Sequence, residues 1–299
     1  MDLTATVLVA GSANLDFVVR AARIPAPGET VLGREFRTFP GGKGANQAIA
    51  SARAGGAATR MLLALGDDAY AVPIEASLRQ AGVSLDVVRS TEQPSGTAFI
   101  CVSDDAENAI TVAPGANALL RAEHLPALAG VTHLLLQLET PLATVDAYAR
   151  AARAAGVQVV LNAAPAQALP DELLNALDLL IVNEGELAAI SGISDDVPTA
   201  LARIAVPTVI VTLGAHGCLA RSPQGLVQQA GFAVDAVDTT AAGDTFCGAL
   251  TAALSRGEPL AAGLAFASAA AAIACTRLGA QSSIPTLAEV RGFLEAHRA

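Results

Sequence analysis

Lysine is almost absent from this sequence, and cationic residues as a whole are scarce. Lys43 is the single lysine among 18 Lys and Arg residues, against 28 Asp and Glu, so the formal net charge is -10. A protein that binds the phosphate backbone of nucleic acids depends on clustered Lys and Arg. The charge balance therefore argues against a nucleic-acid-binding protein, although small anionic ligands respond to local fields and are not excluded.

Cysteine and histidine are also sparse, with four residues of each. Cys101, Cys218, Cys247 and Cys275 are far apart and form no Cys-x-x-Cys pair. This spacing favours free thiols in a reducing cytoplasm over a disulfide framework. The histidines lack the spacing of metal ligands, so we expect no zinc site.

Long hydrophobic runs are missing as well. An uncharged stretch, residues 259–275, has 17 residues and is rich in Ala, whereas a membrane-spanning helix needs ~20 strongly apolar residues. It predicts a buried helix instead. The apolar run 3–10 has no basic segment before it and predicts a first strand rather than a signal peptide. We therefore expect no membrane contact and a cytoplasmic location.

What the sequence does contain is enough apolar material for a large core. Hydrophobic residues make up 53% of the 299 positions and charged residues 15%, which excludes a disordered or low-complexity chain. At ~150 residues per domain, the length fits two domains or one domain with an appendage.

Apolar runs alternate with helical patterns along most of the chain. Continuous apolar runs between helices are typical of parallel strands that are covered on both faces. We therefore predict a doubly wound α/β fold. Strands are predicted at residues 6–10, 61–65, 132–138, 157–161, 179–182 and 208–212, and helices at residues 43–54, 72–80, 141–155 and 245–254.

Two segments depart from this alternation. Residues 16–39 predict two short strands around the turn Pro25-Ala26-Pro27-Gly28, and residues 97–112 predict two more, joined by the polar stretch 103–108. Four such strands, over about 15–40 and 97–112, can form a small sheet that acts as a lid over a ligand site. Two ordinary surface hairpins are the alternative. We expect a single domain over residues 1–299 with this appendage.

The segment 237–246 (VDTTAAGDTF) combines small residues with a carboxylate at a predicted helix start. A strand-like run ends near Val237, and small residues precede the helix. A helix N-terminus exposes free backbone N–H groups and a positive dipole end, which suits an anion. Asp244 then fits either of two roles. It can cap the helix, or it can be a general base for a hydroxyl that attacks the bound anion. The small neighbours favour the base.

Lys43 lies in the most glycine-dense stretch of the chain, residues 41–46 (GGKGAN). Glycine lets the backbone come close to a ligand, and an ammonium group fits where a guanidinium does not. A general preference for Arg over Lys is the alternative explanation. The stretch matches neither the P-loop nor the GxGxxG pattern, which weighs against a dinucleotide-dependent oxidoreductase.

Polar side chains also collect where predicted strands end. Asn14 and Asp16 follow the first strand two residues apart, so an extended chain aims both side chains the same way, at the usual ligand crevice of a parallel sheet. An Asx turn explains the pair equally well. Glu139 and the segments 183–186 and 212–217 follow other strands. Singly, each is explained by turn or capping chemistry, and their coincidence is what indicates a site.

Two of these stretches, 41–48 (GGKGANQA) and 238–246 (DTTAAGDTF), carry a resemblance to a known family. In this order they make the chain similar to the ribokinase-like (PfkB) sugar kinase family, from about Val7 to the C-terminal helix. The resemblance implies a three-layer α/β/α sandwich with a mostly parallel sheet and a β lid that also forms a homodimer contact. It also implies transfer of the γ-phosphate of ATP to O5 of D-ribose, giving ribose 5-phosphate.

The resemblance further implies roles for matching positions. Asp244 would deprotonate the sugar hydroxyl, and the backbone N–H groups of Ala242, Gly243 and Asp244 would form an anion hole. The residues implied to hold the sugar are Asn14, Asp16, Gly42, Lys43, Asn46 and Glu139, with Asp244. Those implied at the nucleotide are Asn183 and Glu186, which organise Mg²⁺ and phosphates through water, and Thr212, Gly214, Gly217 and Gly243. Those implied at an activating K⁺ are Asp238, Thr240, Ala274, Arg277, Gly279 and Ser283.

Three positions depart from the family pattern. Cys247 stands where these enzymes commonly carry Asn, and Thr240 and Cys275 replace bulkier aliphatic residues beside the cation loop. Because carbonyl groups supply most cation ligands there, we expect K⁺ activation to survive. A kinase of 2-deoxyribose, another pentose or a nucleoside is the alternative within the family. An intact Gly243-Asp244 pair argues against a catalytically silent sugar-binding protein.

Overall fold

The computed structural model describes residues 6–105 and 107–297, and in that part of the chain thirteen strands form a large and a small sheet. The strands are β1 (Thr6–Ala10), β2 (Asn14–Ala21), β3 (Gly33–Gly41), β4 (Ala58–Gly66), β5 (Ser84–Ser90), β6 (Gly96–Val102), β7 (Asn108–Ala113), β8 (Val131–Leu136), β9 (Gln158–Asn162), β10 (Leu179–Asn183), β11 (Thr208–Thr212), β12 (Cys218–Ser222) and β13 (Gly225–Gln229). The large sheet has the order β13-β12-β11-β10-β9-β8-β1-β4-β5, and the small sheet β3-β2-β6-β7. Residues 3–5 of the predicted first strand and Ala106 of the predicted lid lie outside the described residues.

Over the same described residues, nine α-helices cover the large sheet on both faces. They are α1 (Lys43–Ile49), α2 (Ala71–Gln80), α3 (Leu142–Ala154), α4 (Asp171–Ala176), α5 (Glu184–Ser191), α6 (Val197–Arg203), α7 (Ala242–Ser255), α8 (Leu260–Cys275) and α9 (Leu287–Ala296). Helices α1, α2, α7, α8 and α9 pack on one face, and α3 to α6 pack on the other. The predicted three-layer α/β/α sandwich is confirmed.

The apolar runs behave as the parallel-sheet prediction requires. Strands β5, β4, β1, β8, β9, β10 and β11 pair in parallel. Successive side chains of a strand face opposite sides of the sheet, and Leu8 and Val9 are both fully buried, one in each helix-covered core. Both faces therefore demand apolar residues, which is why these strands lack an alternating pattern.

Three strands of the large sheet are not predicted from the sequence. They are β5 at one edge and the antiparallel pair β12 and β13 at the other. Edge strands are partly exposed, and β13 has no fully buried residue. Without a continuous apolar run, the sequence has no strong signal there.

Two helices differ in detail from their predictions. The helix predicted over 43–54 is α1 followed by a π-helical turn, Ala50–Ala54, in which the Gly55 N–H donates to the Ala50 carbonyl at 2.9 Å. The uncharged stretch 259–275 forms α8, buried along most of its length. Among the described residues, no helix has the length and apolar character needed to cross a bilayer.

The connection from β1 to β2 joins the small sheet to the large sheet. Strand β2 follows β1 after three residues, pairs antiparallel with β3 and parallel with β6, and Asn14 lies between Gly41 and Gly96. The four strands predicted in 16–39 and 97–112 are confirmed as one sheet. Two separate hairpins, the alternative interpretation, are wrong because β2 and β6 join them.

The strand predicted to end near Val237 is also wrong. Residues 231–241, all of them described, contain neither strand nor helix. The backbone N–H groups of Val237 and Asp238 both donate to the Cys275 carbonyl, at 2.7 and 3.1 Å. An irregular segment is therefore held against the end of α8 instead of extending the sheet.

Candidate active site

A cavity of about 160 Å³ lies at the carboxyl ends of the parallel strands, where α/β sheets bind ligands. Strands β9, β10 and β11 and the first turns of α1 and α7 contribute its lining. Lys43, Asn183, Glu186, Gly243 and Asp244 all face it. The structure thus brings together residues that are up to 201 positions apart in the sequence.

Asp244 lies in the first turn of α7 as its third residue, not at the helix cap. The cap position is Ala241, which has a left-handed backbone (φ 59°) and no side-chain hydrogen bond to the helix. The helix begins three residues earlier than predicted, so the capping interpretation of Asp244 is wrong. Its carboxylate therefore does not cap α7 and can contact other groups.

Two amide side chains from α1 hold this carboxylate. The Asn46 Nδ2 group donates to Asp244 Oδ2 and the Gln47 Nε2 group donates to Asp244 Oδ1, each at 2.9 Å. Asp244 is only 8% exposed. A buried carboxylate needs such donors because burial without hydrogen bonds is costly.

Free backbone donors lie beside the carboxylate. Over the described part of the chain, the N–H groups of Gly243 and Asp244 have no hydrogen-bond acceptor. The N–H group of Ala242 differs, because it donates to the Thr239 carbonyl at 3.2 Å. Together with the dipole of the 14-residue α7, the two free groups form a site for an anion.

The glycines around Lys43 allow close packing against the β1–β2 connection. Gly42 has φ +90°, and a Cβ atom there would lie 2.8 Å from the Ala13 Cα. The Lys43 backbone N–H and the Ser12 hydroxyl both donate to Glu139 Oε2, at 3.1 and 2.6 Å. Glu139 thereby fixes the start of α1 next to the end of β1.

Lys43 lies among negative charges. Burial lowers the pKa of its ammonium group, but the carboxylates of Asp244, Glu139 and Glu186 outweigh burial, and the pKa is raised above its usual value. The ammonium group is therefore charged at neutral pH. It supplies the cation that the acidic site needs to hold a phosphate or a polar sugar.

Asn14 and Asp16 lie two residues apart on β2, within a strand, so the Asx-turn interpretation is wrong. Asn14 is buried, and its Oδ1 accepts from Asn117 Nδ2 at 2.8 Å. Burial, Glu139 and Asp244 raise the pKa of Asp16 to about 7. Asp16 Oδ1 is buried with no partner among the described residues. An unsatisfied buried carboxylate oxygen is suited to a ligand hydroxyl. Over the described chain, Lys43 and Asp244 line the cavity, but the other residues predicted to hold the sugar do not, namely Asn14, Asp16, Gly42, Asn46 and Glu139.

Asn183 and Glu186 serve the helix and the cavity together. Asn183 Oδ1 accepts from the Glu186 N–H, and Glu186 Oε2 accepts from the Asn183 N–H, each at 2.8 Å, as a capping box of α5. Burial raises the pKa of Glu186 above its usual value, against the opposing effect of the Asn183 N–H. The capping interpretation is correct, and both residues also line the cavity.

The segment after β11 reaches the cavity only at its first residue. Thr212 lines the cavity, and its hydroxyl donates to the Val182 carbonyl at 3.3 Å. Gly214 and Gly217 have positive φ, and neither is in the cavity lining over the described chain. Their predicted contact with a nucleotide stays a prediction.

The predicted cation ligands come from two loops and the last turn of α8, and hydrogen bonds join the two loops. Asp238 Oδ1 accepts from the Thr240 N–H and hydroxyl, and its Oδ2 accepts from the Gly279 N–H at 2.9 Å. The Ser283 hydroxyl is fully buried and donates to the Ala280 carbonyl. The Arg277 guanidinium pairs with Glu289 at 2.6 Å, so only its backbone is available. The Ala274 carbonyl accepts from the Arg277 N–H at 3.1 Å.

Several buried amides that bond to predicted site residues, directly or through Gln47, have no role assigned from the sequence. They are Gln47, Asn117, Gln137, Asn162 and Gln281. A signal existed for Gln137, which is a polar residue at the end of the apolar run of β8. Gln281 lies in a loop far from α1 in sequence, and only the fold shows that its Nε2 donates to Asn46 Oδ1 at 3.2 Å.

Known proteins are similar to this chain in sequence and in fold. Residues 4–287 match the model of the pfkB family carbohydrate kinases. Ribokinase of Haemophilus influenzae is 40% identical over 97% of this chain and 98% of its own length. The crystal structure of ribokinase from Thermotoga maritima has a TM-score of 0.92 at 39% identity, over 97% of this chain and 99% of that one. Arabidopsis thaliana ribokinase, whose structure contains ribose and ATP, has a TM-score of 0.90 at 32% identity over 98% and 99%.

Proposed function

Because this chain belongs to the pfkB family of carbohydrate kinases, we propose that its cavity transfers the γ-phosphate of ATP to O5 of D-ribose. The chain phosphorylates ribose with ATP, as its similarity to the ribokinases indicates. One observation carries the assignment to this cavity. A buried carboxylate, Asp244, lies in the same helical turn as two free backbone N–H groups.

The arrangement supplies a general base and a group of donors that stabilises negative charge, and phosphoryl transfer uses both. Asp244 takes the proton of the sugar hydroxyl, which then attacks the γ-phosphate as a better nucleophile. The N–H groups of Gly243 and Asp244 and the end of the α7 dipole stabilise the charge that develops on the transferring group. Ala242 belongs to this turn, although its N–H group is already bonded to Thr239.

The sugar is held by polar groups at the base of the small sheet. Asp16 Oδ1, buried and without a partner among the described residues, accepts a sugar hydroxyl. The Lys43 ammonium group donates to sugar oxygens. The other groups assigned to the sugar are Asn14, Gly42, Asn46 and Glu139. Buried polar groups that only a hydroxylated ligand satisfies favour a sugar over an apolar molecule.

The nucleotide phosphates extend toward β10 and β11. Asn183, Glu186 and Thr212 line that side of the cavity, with Gly214, Gly217 and Gly243 proposed along the nucleotide. Over the described residues, no group of three or more His, Cys, Asp and Glu side chains could hold a metal ion. This fits Mg²⁺, which binds through water, phosphates and one or two carboxylates. When bound, Mg²⁺ would neutralise phosphate charge beside Glu186 and Asn183.

The two loops that contain Asp238 and Gly279 suit a monovalent cation. Their groups are a carboxylate, hydroxyls and backbone carbonyls, which are oxygen donors of the kind that hard cations take. We assign a K⁺ site to Asp238, Thr240, Ala274, Arg277, Gly279 and Ser283. Bound there, K⁺ would add positive charge next to the start of α7.

The small sheet is assigned as a lid and a dimer contact. Phe36 is 61% exposed, Phe99 55% and Ile110 55%. Large apolar side chains in exposed strands are a liability unless another surface covers them. A second copy of the chain is the proposed cover, and sedimentation equilibrium of wild type against Phe99→Asp tests it. Two dimeric proteins would contradict the assignment.

We propose the cytoplasm as the location and one domain over residues 1–299. The four cysteines are free, and Cys101 and Cys275 are partly exposed. Exposed free thiols suit a reducing compartment. Cell fractionation tests the location, and a single cooperative unfolding transition tests the domain assignment.

The function is tested by ADP release from Mg-ATP across a sugar panel, with and without K⁺. The panel contains D-ribose, 2-deoxyribose, fructose, adenosine and pseudouridine. Ribose-dependent turnover that K⁺ increases is the expected result. Turnover only with another sugar or a nucleoside would replace the substrate but keep the mechanism. A folded protein that binds ATP and turns over none of them would contradict the proposal.

A further inference from the structure

Gln47 is a buried amide that touches the proposed base but not the cavity. It is fully buried in α1, and over the described chain it is not in the cavity lining. Its Nε2 group donates to Asp244 Oδ1 at 2.9 Å and to Asn162 Oδ1 at 3.0 Å. Its Oε1 accepts from Gln137 Nε2 at 2.7 Å. Both ends of the amide are therefore bonded within the protein.

The orientation of the Gln47 amide is fixed from three sides. An ionised carboxylate can only accept hydrogen bonds, so Asp244 requires the NH₂ group of Gln47. Asn162 requires the same group, because its own Nδ2 donates to the Ile181 carbonyl at 3.2 Å and its Oδ1 faces Gln47. Gln137 donates to the opposite end of the amide. Rotation of the Gln47 amide would break all three bonds.

The surroundings show that this orientation has a cost. Gln137 Oε1 is buried and has no partner among the described residues. A buried acceptor without a donor is unfavourable. Turning both amides would give this oxygen a donor in Gln47, but it would leave the Gln137 NH₂ group unpaired and point an oxygen of Gln47 at the Asp244 carboxylate. The observed orientation therefore keeps both Gln47 donor bonds, to Asp244 and to Asn162.

We infer that Gln47 is a positioning residue for phosphoryl transfer, which holds the Asp244 carboxylate directed at the sugar hydroxyl. The inference rests on the proposed role of Asp244 as the general base. Asn46 donates to the other carboxylate oxygen but is itself assigned to the sugar. Of the two groups to which Gln47 donates, Asp244 is the proposed base and Asn162 lines the cavity, so the effect of Gln47 on catalysis is assigned to Asp244. A base must lie within hydrogen-bond reach of the proton that it takes, so small displacements of the carboxylate reduce the rate.

The test compares Gln47→Met with wild type, using the sugar that wild type turns over. Met has a similar volume but no donor. The kcat is expected to fall about 10- to 100-fold, as for other residues that orient a reacting group, with little change in the KM of sugar or ATP.

Gln137→Met is the matched control. It removes one bond to Gln47 but leaves both Gln47 donor bonds in place, so a smaller loss of kcat is expected. In an Asp244→Asn background, Gln47→Met should cost nothing further, because its effect passes through the carboxylate. If Gln47→Met does not fold, Gln47→Asn is the second variant. It keeps a buried amide, but its side chain is one methylene too short to reach Asp244. The same 10- to 100-fold loss of kcat is expected.

Three results would overturn the inference. They are a wild-type kcat in a folded Gln47→Met, equal losses in Gln47→Met and Gln137→Met, and a full further loss in the Asp244→Asn background. Failure of the proposed function looks different, since wild type itself would then turn over no sugar. Turnover of a sugar other than ribose would correct the substrate and leave the comparison of variants valid.

Discussion

Gln281 Nε2 donates to Asn46 Oδ1 at 3.2 Å, and Asn46 Nδ2 donates in turn to Asp244 Oδ2. Gln281 lies in the loop between α8 and α9 that also contains Gly279 and Ser283. One side-chain amide therefore connects the proposed K⁺ loop to a donor of the proposed base. Two hydrogen bonds therefore link that loop to the Asp244 carboxylate, so a change in the loop can alter the position of the proposed base.

Gln281→Met is expected to reduce the stimulation of kcat by K⁺. The substitution removes the bond to Asn46 but keeps a side chain of similar size, so the cation can bind while its effect on Asp244 is weakened. The measurement is kcat with and without K⁺ in both proteins, together with the K⁺ concentration that gives half of the stimulation. An unchanged ratio of kcat values in a folded variant would contradict the connection.

Asp244→Asn should keep the fold and lose at least ~10²-fold in kcat, the low end for removal of a general base. Asn occupies the same volume but cannot accept the proton. Thermal unfolding and ADP release measure the two effects. Asp238→Asn, in the cation loop, is the comparison, because a smaller loss that depends on K⁺ is expected there. A folded Asp244→Asn protein with unchanged turnover would refute the assignment of the base.

Lys43→Ala should weaken sugar binding more than ATP binding. The ammonium group lies near Glu139, on the sugar side of the cavity, although it also lies near Glu186. Separate KM values for sugar and ATP give the result, and Lys43→Arg shows whether the space accepts a guanidinium group. A larger increase in the KM of ATP would move Lys43 to the phosphate site.

Sugar affinity should depend on pH through Asp16. Burial, Glu139 and Asp244 raise the pKa of its carboxyl to about 7, so in the free protein it is mostly protonated below that pH. An ionised carboxylate accepts a sugar hydroxyl more strongly. The kcat/KM for sugar should therefore rise between about pH 6 and pH 8, given this pKa. Asp16→Asn should remove the rise, and a profile shared by both proteins would disprove the role of Asp16.

The same carboxyl should oppose stability. Its folded pKa exceeds the usual value of 3.8, so between 3.8 and about 7 the native state binds more protons than the unfolded state. The free energy of unfolding must then fall as pH rises through this window. Without ligand, Asp16→Asn should raise the melting temperature at pH 8 more than at pH 5. Equal shifts at both pH values would contradict this.

Gly42→Ala should destabilise the protein and the site together. A residue with a side chain is strained at φ +90°, and the new Cβ would lie 2.8 Å from the Ala13 Cα. We expect a loss of about 1–3 kcal/mol in the free energy of unfolding, measured by denaturant titration. Gly292→Ala is the control, since its Cβ meets nothing within 4 Å in α9. Equal stabilities would show that the backbone at 42 relaxes freely.

The sequence predicts the fold better than it predicts the network around Asp244. Continuous apolar runs identify the central parallel strands, because burial on both faces leaves a strong pattern. The start of α7 is less predictable, since Ala241 adopts a left-handed backbone that no sequence rule requires. The contacts of Gln47 and Gln281 are beyond prediction, because they depend on helices and loops that meet only in the folded chain.

Strand β2 has a further consequence for how this protein can change. Asp16 and Phe17 are consecutive residues and so face opposite sides of the strand. Phe17 stacks on Phe99 at 5.3 Å between ring centroids and on Phe36 at 6.1 Å. We therefore expect a substitution of Phe17, Phe36 or Phe99 to shift the backbone that carries Asp16. Evolution of this exposed aromatic face is then coupled to the proposed sugar contact, and a variant that alters the proposed dimer contact should change the affinity for sugar as well.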